Sequence, residues 1–123
     1  MVFFPSYRFL EDVWTAYQAC KKADVVCIMQ DMSMSEEKRE EFLEAFGTKR
    51  TQGLVGFCVL GGIFSEGIDL TEERLIGAII VGTGLPQVCN EREILKNYFD
   101  SKGENGFSYS YLYPGMNKVQ QAA

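Results

Sequence analysis

Four short apolar runs divide the chain at intervals. They cover residues 2–4, 24–30, 54–60 and 75–81, and the last three are rich in valine and isoleucine. Runs of this length and composition predict strands that are buried on both faces. The sequence between the runs is more polar, so the strands are expected to be joined by longer connecting segments.

Helical periodicity fills the first two intervals between strands. The first helix is predicted from an apolar stripe, and Trp14 within it is interpreted as a core residue. A second helix is predicted to begin at a capping box formed by Ser33 and Glu36 and to end at a Gly47 cap. The two stripes are Leu10, Val13, Trp14 and Tyr17, followed by Phe42, Leu43 and Phe46.

The last third of the chain predicts a third helix and a further extended segment. Asn90 and Glu93 repeat the spacing of a capping box, and the helix is expected to end within residues 103–106. Tyr109, Tyr111 and Tyr113 alternate, which is typical of a strand or extended segment that packs against the sheet. The same tyrosines alternatively offer one face to nucleic-acid bases. Residues 114–115 are then expected to form a turn, and residues 116–123 the start of another helix.

Strands and helices alternate along the whole chain, and the strands are apolar on both faces. This order predicts an α/β fold with a mainly parallel sheet covered by helices on both sides. A length of 123 residues is that of one domain. We therefore expect residues 1–123 to form a single domain.

Composition narrows the possible chemistry. The chain carries 12 basic and 17 acidic residues, a net charge of −5, and no histidine. The acidic balance argues against nucleic-acid binding by bulk charge alone, although it permits a local contact edge. Without histidine, no histidine-dependent catalytic triad or histidine-containing zinc site can form within the chain. The acidic run of residues 36–44 is interpreted as the solvated face of the second helix.

The four cysteines do not have the spacing of a metal site. They are separated by 7, 31 and 31 residues, without a CxxC pair, and Cys27 and Cys58 are expected to be reduced core residues. No apolar run approaches the roughly 18–20 residues that span a membrane. A cytoplasmic location is therefore expected.

Candidate binding residues follow the predicted strands. In parallel sheets, ligands bind beyond the carboxyl ends of the strands, which here are residues 5–7, 61–69 and 82–86. In the middle segment, glycines permit close backbone approach to a phosphate, Ser65 can donate to a phosphate oxygen, and Asp69 can accept from a ribose hydroxyl. Glu66 is ionised and would repel phosphate. A plain turn remains the alternative, since neither GxxxxGK[ST] nor GxGxxG occurs.

The segment FSEGIDL, within residues 61–70, resembles motif V of the XPD/DinG family of superfamily 2 DNA helicases. Three further segments fit the family in the same order. VFFPSY resembles the motif IV region, IIVGTGLP the strand and loop after motif V, and YLYPGMNKVQQAA the approach to motif VI. The amino-acid sequence of these segments is most similar to that of the DinG-like helicases of Gram-positive bacteria.

The resemblance implies the second RecA-like domain of a helicase motor. ATP with Mg²⁺ would bind between this domain and a first RecA-like domain of the same polypeptide, which would hold most of the nucleotide. Single-stranded DNA is the implied partner, tracked in the 5′ to 3′ direction. The resemblance implies ATP-binding roles for Gly67, Asp69 and Gln121, and DNA-binding or coupling roles for Pro5, Ser6, Tyr7, Ser65 and Glu66.

The chain departs from the family pattern at its end. Gln121, Ala122 and Ala123 match the first positions of motif VI, but the glycine and two arginines that should follow are absent from this sequence. An isolated domain that is truncated in this way is expected to be inactive, and no catalytic residue is assigned. The family's iron–sulfur cluster belongs to the first domain, so these cysteines are not assigned to it, and no metal ligand is expected. The alternative is a stand-alone α/β regulatory or protein-interaction domain.

Overall fold

The computed structural model describes residues 1–20, 24–65 and 74–123. Its sheet has four parallel strands in the order β2-β3-β1-β4. The strands are β1 (Val2–Phe4), β2 (Val25–Met29), β3 (Gly53–Val59) and β4 (Ile79–Ile80). The parallel sheet that the apolar runs predicted is confirmed.

The fourth strand is shorter than the predicted run of residues 75–81. Within the ranges that the structure describes, strand β4 pairs only with β1, through Val2 opposite Ile79 and Phe3 opposite Ile80. It therefore lies at the edge of the sheet, and the three residues of β1 limit how far it can pair. Ile76 and Ile79 are correspondingly 98% and 62% exposed.

Helices follow the strands and close the domain. They are α1 (Tyr7–Cys20), α2 (Glu36–Gly47), α3 (Asn90–Ser101) and α4 (Tyr113–Ala122). A π-helical segment, Ser108–Leu112, leads directly into α4. Pro114 lies in the first turn of α4, so its missing N–H falls at the junction of the π-helical and α-helical segments. The predicted turn at residues 114–115 is therefore wrong, and the last helix begins at Tyr113.

Two hydrophobic clusters lie on opposite faces of the sheet. Consecutive strand residues alternate between them, since Phe3 and Cys58 belong to one cluster and Phe4 and Phe57 to the other. One cluster adds side chains of α1, namely Leu10, Val13, Trp14 and Tyr17, and the other adds Phe42, Phe46, Val119 and Ala122 from α2 and α4. Helices therefore cover both faces, which confirms the predicted fold class. Trp14 is partly buried against the core, so its expected core position holds in part.

The cap residues predicted for α2 are wrong, and at its start the N-cap lies two residues later than predicted. Ser35, rather than Ser33, precedes the helix, and its hydroxyl accepts a hydrogen bond from the Lys38 N–H at 3.4 Å. The Ser33 N–H instead donates a hydrogen bond to the Asp31 carboxylate at 3.0 Å. At the other end Gly47 is still helical and the chain continues in an extended conformation, so a left-handed glycine cap is not used.

The capping box predicted for α3 is also wrong. Cys89 precedes the helix without a side-chain capping bond, and Asn90 is already helical. Glu93 accepts a hydrogen bond from the Tyr111 hydroxyl at 2.6 Å instead of reaching back to the helix start. This bond, with burial of the ring, raises the pKa of Tyr111 to about 12.

The three alternating tyrosines are helical. In a helix, residues four apart share a face, and Tyr109 and Tyr113 meet edge to face with ring centroids 5.3 Å apart. Tyr109 also stacks on Phe99 of α3 at 4.3 Å. Tyr111 points the other way and is 4% exposed. Packing against α3 has therefore overridden the strand-like alternation.

The structure also tests the expected burial of two cysteines and the expected absence of a membrane-spanning helix. All four cysteines are free; Cys58 is fully buried, Cys27 is half-buried, and Cys20 and Cys89 are exposed. The buried position expected for Cys58 is confirmed, and that of Cys27 holds in part. Within the described ranges, no helix is long and apolar enough to cross a membrane.

Candidate functional site at the carboxyl edge of the sheet

The parallel strands bring four chain segments together at one edge. Residues 5–6 follow β1, Gln30 follows β2, residues 60–65 follow β3, and residues 81–85 follow β4. Two of these segments carry sequence-predicted site residues. We call this region the carboxyl edge.

The segment after β1 turns directly into a helix. The Ser6 carbonyl accepts from the Leu10 N–H at 3.0 Å, and the Ser6 hydroxyl accepts from the Phe9 N–H at 3.3 Å. Ser6 therefore caps α1, while Pro5 and Ser6 remain exposed. Both predicted contact residues are accessible to a ligand at this edge.

Tyr7 is held by a residue that the motifs did not single out. Gln30 is 2% exposed, and its Nε2 donates to the Tyr7 hydroxyl at 2.7 Å. Its Oε1 accepts from the Val59 N–H at 2.9 Å, at the end of β3. Burial raises the pKa of Tyr7, so the hydroxyl stays protonated and keeps its own proton to donate. The available sequence signal was a polar residue that ends an otherwise apolar strand.

The segment after β3 folds into tight turns. The Gly62 N–H donates to the Val59 carbonyl at 3.1 Å, and the Ser65 N–H and hydroxyl donate to the Gly62 carbonyl at 3.0 and 2.9 Å. Ser65 is 3% exposed, so its hydroxyl serves the turn. Glu66, Gly67 and Asp69 lie outside the described residues.

Helix α4 crosses the carboxyl edge at close range. Gly84 has a φ of +62°, and a Cβ at this position would lie 2.5 Å from Leu60 and 3.3 Å from the Gly115 carbonyl oxygen. Only glycine permits this approach. Lys118 of α4 lies beside Gly61, and Gln121 is exposed one turn further along the helix. The edge therefore brings residues 5–7, the 61–65 turns and α4 into one region.

A surface cavity of about 740 Å³ lies at the opposite, amino edge. Its lining includes Met1 and Gly53, at the starts of two strands, and the basic side chains of Lys49, Arg50 and Arg74. None of the sequence-predicted site residues in the described ranges lines it. The cavity is therefore separate from the carboxyl edge.

A parallel sheet with helices on both faces and accessible turns at its carboxyl edge defines an α/β domain, and this architecture is consistent with a RecA-like domain. A profile of the helicase C-terminal domain family matches residues 1–123. The chain belongs to this family of helicase domains, found in DNA helicases related to XPD.

Similar proteins include named DNA helicases. The chain is 26% identical over 106 residues to the ATP-dependent DNA helicase CHL1 of Yarrowia lipolytica, covering 80% of this chain and 13% of the relative. It is 30% identical over 114 residues to the regulator of telomere elongation helicase 1 homolog of Arabidopsis thaliana, covering 80% and 11%. The Bos taurus regulator of telomere elongation helicase 1 is 28% identical over 121 residues, covering 91% and 10%. The chain thus spans about a tenth of these relatives' length.

Proposed function

We propose that this domain is the second RecA-like half of an ATP-dependent DNA helicase motor of the DinG-like kind. The observation that carries the proposal is the helicase C-terminal domain match over residues 1–123. The convergence of the predicted segments at the carboxyl edge supports it. In this role the domain works against a first RecA-like domain of the same polypeptide.

In the proposed motor, ATP with Mg²⁺ binds between the two domains. Gly67, Asp69 and Gln121 face the nucleotide from this side, and the first domain holds most of the metal and phosphate contacts. The exposure of Gln121 on α4 is compatible with that role. Hydrolysis on this account needs both domains, so residues 1–123 alone bind ATP weakly and do not turn it over.

Single-stranded DNA is proposed to pass the segment after β1. Pro5 and Ser6 are exposed, and the Tyr7 hydroxyl retains a proton to donate. Hydroxyl and backbone contacts to phosphate or sugar position DNA without a basic surface, which fits a chain with a net charge of −5. Ser65 and Glu66 are proposed to couple this path to the nucleotide.

The fold suggests how nucleotide and DNA contacts are coupled. Gln30 bonds both Tyr7 and Val59, the last residue of β3, and the Val59 carbonyl in turn accepts from the Gly62 N–H of the following turn. The buried amide therefore connects the segment after β1 to the strand end that leads into the 61–65 turns. A shift of the turns on ATP binding is transmitted to Tyr7 through these two hydrogen bonds. We propose that the Gln30 amide, through its two hydrogen bonds, links closure of the nucleotide cleft to movement along DNA.

The test uses the longest polypeptide that the gene encodes and measures ATP hydrolysis with and without single-stranded DNA. DNA should stimulate hydrolysis, and Asp69→Ala and Gln121→Ala should each reduce the stimulated rate at least about tenfold. Glu104→Ala, at an exposed position beyond α3, is the matched control and should leave the rate unchanged.

Two outcomes would contradict the proposal. One is hydrolysis by residues 1–123 alone, since the proposed motor requires a second domain. The other is a polypeptide whose ATP hydrolysis does not respond to DNA or to Asp69→Ala. A regulatory or protein-interaction domain would give the second result.

A further inference from the structure

Lys118 reaches from α4 across the turn that follows β3. A Cβ placed on Gly61 would lie 3.1 Å from both Cδ and Cε of Lys118 and 3.4 Å from its Nζ. The lysine side chain therefore lies along the open side of this glycine. Gly61 itself has a φ of +72°, in the left-handed region that side chains rarely adopt.

The ammonium group is not neutralised by a neighbour in the described ranges. The ion pairs there join Arg39 to Glu36 and Lys96 to Asp100, and neither involves Lys118. The Gly61 N–H likewise has no hydrogen-bond partner among the described residues. A cation and a backbone donor thus lie side by side, and neither has a partner among the residues that the structure describes.

An ammonium beside an unpaired backbone N–H suits an oxyanion. Charge-assisted hydrogen bonds to phosphate are about twice as strong as those between neutral groups. Turns with a left-handed residue expose backbone N–H groups that bind anions. Lys118 and Gln121 are three residues apart on α4, so the cation shares a helix side with the residue proposed to face ATP.

We propose that Lys118 and the Gly61 turn form a phosphate-binding subsite at the carboxyl edge. The proposal rests on the proposed function, in which nucleotide and DNA both approach this edge. The ligand is a phosphate oxyanion, supplied either by the polyphosphate of a nucleotide or by a phosphodiester of the DNA backbone. Lys118 is the residue that binds it, and glycine at position 61 keeps the approach open.

The test uses residues 1–123 and follows backbone amide signals by NMR. Pyrophosphate, ATP and an oligothymidylate are titrated separately to millimolar concentrations, and the signals of Gly61 and Gly62 should shift with at least one of them. Lys118→Ala should weaken the apparent affinity about fivefold or more, and Lys118→Arg should restore it to within about twofold.

Lys102→Ala is the matched control. Lys102 is also a lysine near a helix end, but its Nζ lies 5.7 Å from the centre of the Tyr98 ring, whereas the side-chain atoms nearest to Gly61 belong to Lys118. Its removal lowers the net charge by the same amount, so an unchanged affinity excludes a general charge effect. Signal dispersion in each variant verifies that the fold is retained.

The probes separate the two sources of phosphate. A response to pyrophosphate and ATP assigns the subsite to the nucleotide, and a response confined to the oligothymidylate assigns it to DNA. No shift at Gly61 and Gly62 with any probe overturns the proposal, as does an affinity that Lys118→Ala leaves unchanged.

This result is independent of the motor test. If the longest polypeptide hydrolyses ATP in response to DNA while Lys118→Ala changes neither the KM for ATP nor the DNA affinity, the subsite is refuted and the motor stands. If phosphate binding depends on Lys118 but hydrolysis never responds to DNA, the subsite stands and the motor is refuted.

Discussion

Replacing Gln30 with leucine tests whether the carboxyl edge depends on one buried amide. The side chain is 2% exposed and makes two hydrogen bonds, to the Tyr7 hydroxyl and from the Val59 N–H. Leucine has a similar volume, so little cavity is created. It leaves the Val59 N–H buried without an acceptor, which costs about 1–3 kcal/mol, and removes a hydrogen bond worth about 1 kcal/mol. We expect Gln30→Leu to lower the free energy of unfolding by about 2–4 kcal/mol.

Urea unfolding followed by tryptophan fluorescence measures this loss. The chain has one tryptophan, Trp14, whose ring meets Phe57 of β3 edge to face at 5.2 Å, so its emission reports the packing of α1 on the sheet. Gln120→Leu is the control, because Gln120 is exposed on α4 and should change stability by less than about 0.5 kcal/mol.

A double-mutant cycle isolates the bond between Tyr7 and Gln30. Tyr7→Phe alone leaves the Gln30 Nε2 without its acceptor and should cost about 1 kcal/mol. Because the two single variants break the same bond, the double variant should cost less than their sum by about 1 kcal/mol. A Gln30→Leu cost no larger than that of the control, or strict additivity in the cycle, would refute the proposed role of the amide.

Three further predictions concern the core and the packing of α3. Burial raises the pKa of Cys58 to about 12 from its ordinary 9.0, so the folded state holds this proton more tightly than the unfolded chain does. The contribution of Cys58 to the free energy of unfolding is therefore fully present below pH 9. It falls by up to about 1.4 kcal/mol per pH unit as the pH rises towards 12. Urea unfolding at several pH values should show this slope and Cys58→Ala should lack that part of it, while equal slopes would contradict the assignment. A Cβ on Gly106 would lie 2.1 Å from the Lys96 carbonyl oxygen, so Gly106→Ala should lower stability by about 3 kcal/mol or more, whereas Gly77→Ala, with no neighbour within 4 Å, should not; equal Tm values for the two variants would disprove the contact. The buried hydroxyl of Ser110 has no partner in the described part of the chain, so Ser110→Ala should be neutral or stabilise by up to about 1 kcal/mol, and a clear loss of Tm would show that the hydroxyl is bonded.

The sheet could be predicted from the sequence because its strands have only one environment. The inner strands β1 and β3 lie between two layers of helix, so an apolar run is required there and can be recognised without knowledge of the rest of the fold. Even so, the length of a strand depends on its neighbour. The apolar run of residues 75–81 gives only the two-residue β4, since β1 offers just three residues for pairing and no described strand lies beyond β4.

The C-terminal tyrosines show why a short pattern is ambiguous. Positions 109 and 113 share a face both in a strand, where every second residue does, and in a helix, where every fourth residue does. The deciding contact is the Phe99 ring of α3, on which Tyr109 stacks at 4.3 Å. That contact joins residues ten positions apart in the sequence, so it cannot be predicted from the alternation of three tyrosines within five residues.

The same limit explains why the motifs did not single out Gln30 or Lys118. The segments that follow β1 and β3 could be predicted as candidate ligand contacts, because parallel strands place the residues after their carboxyl ends at one edge of the sheet. Gln30 and Lys118 reach that edge from other segments: Gln30 because β2 lies beside β3, and Lys118 because Gly84 and Gly115 let α4 cross close to the turn. Their positions at this edge follow from packing between segments distant in sequence. In a domain of this kind, polar residues that end an apolar strand or lie on a helix opposite a glycine turn are therefore the positions to examine first.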